Sequence, residues 1–535
     1  MIKNEKVFTF VLILLAIAGI SWYSFDQYKR INIVSEGFST KLFAVHQKDF
    51  YIQPAKKFLL ENNIDVADNL SSLSDYPAGI SDSFLKRSIG EREGYLYRKQ
   101  FNFPNNLISL RFFKELEKHE SFVFLDPNTA KVRGFSQVIP ENETRPNISK
   151  EDAQKMAEDF LTSQGIDLTN LESKDYLAQT IQNRVDQIFS YKVKGSELDT
   201  KYGQGYITYT VGILGNSVGA YSMDFFTPED FTREIDKLMS VGDLLALLST
   251  LVTALMAILG LVFTILAFRK GKINWKIYTL LFVILVISLL VSVITDYNAL
   301  LSGYSTDQYL YVYFAMFIIN TLIFVSMLNI LIPLAGIGGS FLESSSRFKI
   351  TNIKKNLVPS IYKGYLLAFM TLGFTTLIYY VGEKYLGVWQ MGVVEPSNTF
   401  ISYSVIFGVL YLCLSSSLSE EIIFRYFGFV LFNKYIKFTF LSMLLAVFVW
   451  AIGHSNYPVF PVYFRGIELV IGGMLWAYFI LRYNIATTIS AHFVYNAIFS
   501  CIGLYLSMNP VYIAYATIIL LVPLAFGHIY KKLYL

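Results

Sequence analysis

Two adjacent glutamates, Glu420 and Glu421, and an arginine at Arg425 stand in the otherwise apolar stretch SLSEEIIFRYFGF, residues 417–429. A charged side chain at the centre of a membrane helix costs about 2.5–3.5 kcal/mol on insertion scales, so three together call for pairing or chemistry. Between Thr399 and Phe526 the only other carboxylate is Glu468, and the only histidines are His454 and His492. His454 ends the run FVWAIGHSNYP with Trp450 one turn before it, and His492 lies in TISAHFVYNAIF with Asn496 four residues on. Three separate apolar segments thus supply Glu, His, His and Asn to one region, each a functional-site candidate by its placement.

Helical spacing sorts their roles. Glu421 and Arg425 are spaced i, i+4 with the acid first, the favourable order for an ion pair on one face. Glu420 is turned about 100° away and is the carboxylate left over. His492 and Asn496 share a face. A free glutamate and a histidine can together act as general base on a water. A neutral histidine and an asparagine amide offer N–H donors for a developing oxyanion. That set suits hydrolysis of an amide bond without a Ser or Cys nucleophile. Glu, His and His also form a possible zinc ligand set, although the H-E-x-x-H pattern is missing.

Plainer readings stand beside these. Glu421–Arg425 can be a structural ion pair. His454 can bond a backbone carbonyl, and His492 with Asn496 can be interhelical glue. Glu468, beside Arg465 at a span end, reads as a solvated interfacial pair. His46, His119 and His528 read as surface or interface residues. Ser415–Ser417 read as helix packing or backbone satisfaction, and Cys413 and Cys501 as small buried hydrophobes.

The elements that must hold these residues follow from hydropathy. The chain has 535 residues, is 53% hydrophobic and only 16% charged, and carries a net charge of +4; its mean hydropathy is +0.43. A soluble chain carries about 25% charged residues, so a multi-pass membrane protein is expected and no nucleic-acid partner is suggested. Apolar runs at 7–23, 244–268, 277–294, 309–335, 361–381, 400–418, 439–453, 467–481, 485–505 and 509–527 make about ten spans. The first follows Lys3 and Lys6 and reads as an uncleaved anchor in preference to a secretory signal. Whether 419–437 continues a span or re-enters the membrane stays open.

Basic clusters after Phe268, at 347–355 and at Lys434, Lys437, Arg482, Lys531 and Lys532 place both termini in the cytoplasm. The polar stretch 29–238 then lies outside. It looks duplicated: AKKFLLENNID, 55–65, aligns with AEDFLTSQGID, 157–167, and AKVRGFSQVIPE with SVGAYSMDFFTPE. Each unit reads as a helix packed on an antiparallel sheet, with YITYTVGIL as a strand. This part resembles duplicated PepSY-type modules of bacterial envelope proteins. The expected fold is an all-α polytopic membrane domain with an α+β extracytoplasmic domain inserted between the first and second helices. The boundaries are 1–28 for the anchor, 29–238 for the external domain, 239–360 for helices 2–4 with a cytoplasmic loop, and 361–535 for the site-bearing domain.

In order, EEIIFR, WAIGH and HFVYN resemble the CPBP family, the CAAX-protease and bacteriocin-processing intramembrane proteases, over roughly residues 400–500. The resemblance implies an intramembrane endopeptidase acting on peptide or prenylated protein substrates in the cell membrane, in a bacterium by composition. It makes Glu420 and His454 the water-activating pair and His492 and Asn496 the oxyanion hole, with Glu421 and Arg425 supporting. No cofactor is favoured; zinc is the alternative. Tyr426 stands where the family has Gly, which would narrow the space beside the Glu420–Glu421 helix, and Trp450 replaces Phe. The competing functions are an inactive envelope sensor or scaffold binding peptides or lipidated chains, and a proton-coupled transporter.

Overall fold

The computed structural model describes residues 5–37, 48–77, 79–104, 106–295, 297–344, 348, 350–351, 356–391 and 405–534. His46 lies outside the described residues. The polar stretch forms one antiparallel sheet. Its first half is α2 (Lys48–Glu61), β1 (Leu70–Pro77), β2 (Asn106–Phe113), β3 (Glu120–Leu125) and β4 (Val132–Val138), with α3 (Gly79–Ile89) and α4 (Glu91–Gln100) between β1 and β2. The second half is α5 (Lys150–Ser163), β5 (Leu171–Ile181), β6 (Arg184–Val193), β7 (Leu198–Thr200), β8 (Gly203–Leu214) and β9 (Ser217–Phe226). Strand order is β1-β2-β3-β4-β9-β8-β6-β5, with β7 on β8.

The repeat seen in the sequence has a physical cause. Ala55, Phe58 and Leu59 of α2 and their counterparts Ala157, Phe160 and Leu161 of α5 are all buried in one core with Leu110, Val123, Phe135 and Val211. Spacing i, i+3, i+4 puts each trio on the helix face that meets the sheet. What the repeats do not reveal is that both halves share a sheet. Their last strands, β4 and β9, pair with Phe135 opposite Tyr221. The expected strand YITYTVGIL lies in β8.

The remaining chain is helical: α1 (Glu5–Gly37) before the sheet, then α6 (Glu229–Arg269), α7 (Trp275–Thr295), α8 (Tyr297–Ser302), α9 (Leu310–Glu343) and α10 (Leu357–Tyr385). After β10 (Trp389–Gln390) come α11 (Val405–Glu420), a π-helical turn (Glu421–Gly428) and α12 (Phe429–Ile436). The last elements are α13 (Thr439–Ile452), β11 (Val459–Phe460), α14 (Tyr463–Arg482), α15 (Ile485–Leu506) and α16 (Pro510–Tyr534). Each of the ten expected apolar segments falls on a helix over its described residues. Among the described residues seven helices are long and apolar enough to cross a membrane, and shorter apolar stretches lie at 275–291, 310–321, 329–343 and 439–452. Residues 406–436 form one such continuous helical stretch, so the segment left open by the sequence is helical throughout and unbroken from the apolar run before it.

Surface chemistry agrees with a lipid surround. On α6, Leu244, Leu247, Leu251, Leu255 and Ile258 are all more than half exposed, a leucine-rich stripe that water would not favour. The opposite face buries Gly242, Ser249, Met256 and Gly260 against the bundle, the small-residue pattern of helices packed in membranes. α1 belongs to the same body. A Cβ on Gly373 of α10 would come within 2.2 Å of the Gly19 Cα, so the two backbones touch. Glu5 bonds Lys363 at 2.9 Å and Arg482 at 3.0 Å, and Arg30 reaches Glu383 at 3.2 Å near the other end.

Candidate active site

Glu420 ends α11 and Glu421 opens the π-helical turn. A π turn carries an extra residue per hydrogen-bonded ring and recurs at functional sites. Here it leaves the two carboxylates in different surroundings: the Glu421 side chain is 0% exposed and that of Glu420 is 21% exposed. Arg425 Nη1 donates to Glu421 Oε1 at 2.6 Å. Its guanidinium carbon lies 3.9 Å from the centre of the Trp450 ring and 5.1 Å from that of Trp476. Cation–π attraction in a water-poor setting compensates part of the desolvation of that charge.

His492, from α15, reaches both carboxylates. Its Nδ1 lies 2.9 Å from Glu421 Oε1, a bond in which the ring donates, and its Nε2 is 3.6 Å from Glu420 Oε2. The ring also stands edge-on to Trp476, with centroids 5.1 Å apart. From α13, the Trp450 indole N–H donates to Glu420 Oε2. One turn later, His454 Nδ1 donates to the Trp450 carbonyl at 3.0 Å. A carbonyl only accepts, so this bond fixes the tautomer and leaves Nε2 with a free lone pair.

Asn496 is close by, yet its amide Nδ2 donates to Ser416 Oγ at 2.8 Å, one helical turn before Glu420. Glu420, Glu421, Arg425 and His492 therefore form one contiguous cluster, His454 joins it through Trp450, and Asn496 borders it. The plain readings also hold as geometry: Glu421–Arg425 is an ion pair, His454 does bond a backbone carbonyl, and Asn496 links two helices. Sequence reasoning missed the Trp450 N–H as the clamp on Glu420 and Trp476 as the wall behind His492. The available signal was a tryptophan one turn from a histidine in apolar sequence, because a buried indole N–H needs an acceptor.

Some expectations need correction. Glu468 is only 3% exposed, and its partners are Arg465 at 2.6 Å and Thr375 at 3.2 Å. The acid is buried because α10 packs on α14 and covers it, while the Arg465 side chain keeps 20% exposure, so the pair is only partly solvated. Tyr426 faces α9, where its hydroxyl donates to Glu343 at 2.8 Å, so it does not crowd Glu420. His119 is exposed, as expected, but has an acidic partner, Glu143 at 2.6 Å. His528 bonds the Leu524 carbonyl at 2.9 Å. Ser416 and Ser417 satisfy backbone carbonyls one turn back, both at 2.6 Å, and the two cysteines are buried and unbridged.

Among the described residues no three His, Cys, Asp or Glu side chains group as metal ligands. No curated protein and no solved structure matches the chain. Residues 402–498, less than one fifth of the chain but the part that holds every residue of this cluster, match the family described as type II CAAX prenyl endopeptidase, Rce1-like.

Proposed function

We propose that the protein is an intramembrane endopeptidase that hydrolyses a peptide bond with a water activated by Glu420 and His454. What carries the reading is the convergence, within the segment matching the CAAX endopeptidase family, of a half-open carboxylate and a histidine whose Nε2 lone pair is free. The water gives a proton to this pair while its oxygen attacks the peptide carbonyl carbon. The tetrahedral intermediate collapses as the C–N bond breaks, and the same proton passes to the leaving amine. Trp450 holds Glu420 in place by hydrogen bonding.

His492 and Asn496 stabilise the oxyanion in this scheme. With the Nδ1 proton of His492 committed to Glu421, donation from Nε2 calls for the doubly protonated ring. Its Nδ1 lies 2.9 Å from Glu421 Oε1 and its Nε2 3.6 Å from Glu420 Oε2, so the ring stands between the two carboxylates. Asn496 exchanges its bond to Ser416 for one to substrate. Glu421 and Arg425 orient His492 and stay out of the chemistry.

The substrate class follows the family description: a peptide near the C-terminus of a chain, prenylated or otherwise lipid-associated. The sheet domain lies on the extracytoplasmic side, and both termini lie in the cytoplasm, of a multi-pass bacterial membrane protein. A glutamate-type mechanism without bound metal suits the donor set best. The test uses full-length protein in lipid nanodiscs with prenylated and unprenylated CAAX-like peptides. Glu420→Gln and His454→Ala each lower kcat/KM by about 10³-fold, the usual size of a lost general base, with unchanged insertion and melting. Metal-free protein retains activity in the presence of a chelator. Full activity in either variant removes the mechanism, and loss with chelator followed by rescue with zinc removes the metal-free version.

A further inference from the structure

Helix α6 runs without interruption for 41 residues, about 61 Å, from the sheet domain into the helical body. Its first turns belong to the sheet domain's packing. Phe231 and Ile235, 1% and 5% exposed, share an apolar cluster with Phe84 of α3 and Tyr202 before β8, and Phe460 of β11 enters the same cluster. The Phe84 and Tyr202 rings stand edge-on to Phe231, with centroids 5.3 and 5.0 Å away. The Tyr202 hydroxyl adds a bond to Glu234 of α6 at 3.2 Å.

About two and four turns further along, at Gly242 and Ser249, the same helix meets the chain on either side of the His454 turn. Ser249 Oγ donates to the Val449 carbonyl at 2.6 Å. Val449 is in the last turn of α13, where intrahelical donors run out, so this hydroxyl supplies a bond that the helix itself cannot. At Gly242 the approach is backbone to backbone: a Cβ would meet the Ser455 carbonyl oxygen at 2.4 Å and Asn456 Cα at 3.2 Å. Val449 and Ser455 bracket Trp450 and His454, the residues that clamp Glu420 and supply the free lone pair. Beyond them, Phe460 stacks on Trp389 at 4.6 Å, and Arg87 of α3 lies over that indole at 5.5 Å. The whole stretch 449–460 is thus held by α6 and by α3.

We propose that Gly242 and Ser249 of α6 are positioning residues for the Trp450–His454 turn, and that the seating of the sheet domain on α6 and β11 sets where that turn sits relative to Glu420. The proposal rests on His454 acting as a base. A displacement of about 1 Å in such a group can cost about 10²-fold in rate, so a rigid helix joining the two is a sensitive control. The sheet domain is then a regulator of catalysis and not a passive spacer.

The experiment compares wild type, Phe84→Ala, Ser249→Ala, Ser249→Thr, Gly242→Ala and the Phe84→Ala/Gly242→Ala double variant, all full-length in nanodiscs. Two readouts are taken: kcat and KM on the CAAX-like peptide, and hydrogen exchange of residues 449–458. Gly242→Ala is expected to lower kcat by about 10²-fold with little change in KM. Ser249→Ala acts in the same direction, and Ser249→Thr, which keeps the hydroxyl, restores the rate. Phe84→Ala, remote from the chemistry, also lowers kcat and speeds exchange at 449–458, and the double variant is less than additive. The proposal is overturned if wild type cleaves and Phe84→Ala changes neither readout, or if the two substitutions are strictly additive. If wild type cleaves nothing, the protease reading fails by itself. Exchange at 449–458 then decides the coupling: unaltered by Phe84→Ala it sinks the proposal, accelerated it upholds it. Should Gly242→Ala fail to fold, Phe84→Ala and the Ser249 pair decide the question by the same two readouts.

Discussion

The helical body holds two acid–arginine pairs that a sequence can hardly tell apart. Glu421–Arg425 and Glu468–Arg465 are each one turn apart, and each has a closest N–O distance of 2.6 Å. Their surroundings differ in kind. Around Glu468 the second carboxylate oxygen accepts from Thr375, and Arg465 also reaches the Tyr379 hydroxyl at 3.4 Å. The pair's bonds go to hydroxyls, and Arg465 Nε has no hydrogen-bond partner among the described residues. Glu421 instead shares the oxygen that takes Arg425 with His492, and its other oxygen has no hydrogen-bond partner among the described residues. The first pair passes its constraint to a titratable ring; the second ends in hydroxyls. A buried ion pair becomes informative about function only through what it orients next.

Removing both charges of a pair breaks the comparison most cleanly. Glu421→Gln with Arg425→Met should cut kcat by about 10²-fold or more, because His492 loses the anchor that sets its tautomer and angle. Glu468→Gln with Arg465→Met should leave cleavage largely intact and stability close to wild type, since apolar or neutral replacement of a whole buried pair is often neutral. Equal loss in both double variants would erase the distinction. Breaking a pair by half is a stability experiment: Arg425→Met alone strands Glu421 and should cost about 3–5 kcal/mol by denaturant titration.

Finer resolution comes from Trp450. Trp450→Phe keeps a ring under Arg425 but removes the N–H bonded to Glu420, and should lower kcat by about tenfold, near 1.4 kcal/mol, with KM little changed. A variant with unaltered kcat would demote the indole to packing. Smallest of all is the contrast with an ion pair on the sheet domain. Burial pushes the Glu143 carboxyl up, but bonds and charge from Arg145 and His119 outweigh it and hold it below the ordinary glutamate range. A depressed folded-state value gives stability that is present above the unfolded pKa of about 4.3 and disappears as pH falls through the folded one. Acidification should therefore release about 0.5 kcal/mol of protection in the 140–148 loop, readable by hydrogen exchange.

How far the sequence reached depends on the physics behind each feature. Apolar length betrays a helix whatever its neighbours, so the apolar segments and their order were readable, and Glu420, Glu421, Arg425, His454 and His492 stood out because ionisable groups in such sequence are conspicuous, with Asn496 noticed only by its spacing from His492. The paired trios Ala55, Phe58, Leu59 and Ala157, Phe160, Leu161 were visible because packing on a sheet imposes one period on both copies. Pairing partners were not. Nothing in residues 132–138 or 217–226 says that β4 lies beside β9, and nothing around Arg465 says that Thr375, 93 positions from Glu468, will cover its partner. The π turn was equally hidden, being a backbone choice settled by packing of α11 and α12 against α9 and α13. Tyr426 was misjudged for the same reason: its direction follows the widened turn.

The shortness of α13 bears on the bilayer itself. Fourteen residues rise about 21 Å, against about 30 Å of hydrocarbon. A helix of that length falls short of a full crossing by itself, and the loop that follows it, 453–458, exposes Asn456, Tyr457 and Pro458. Polar backbone and an amide side chain thus stand directly after His454, where an apolar helix of full length would have continued in hydrocarbon-like side chains.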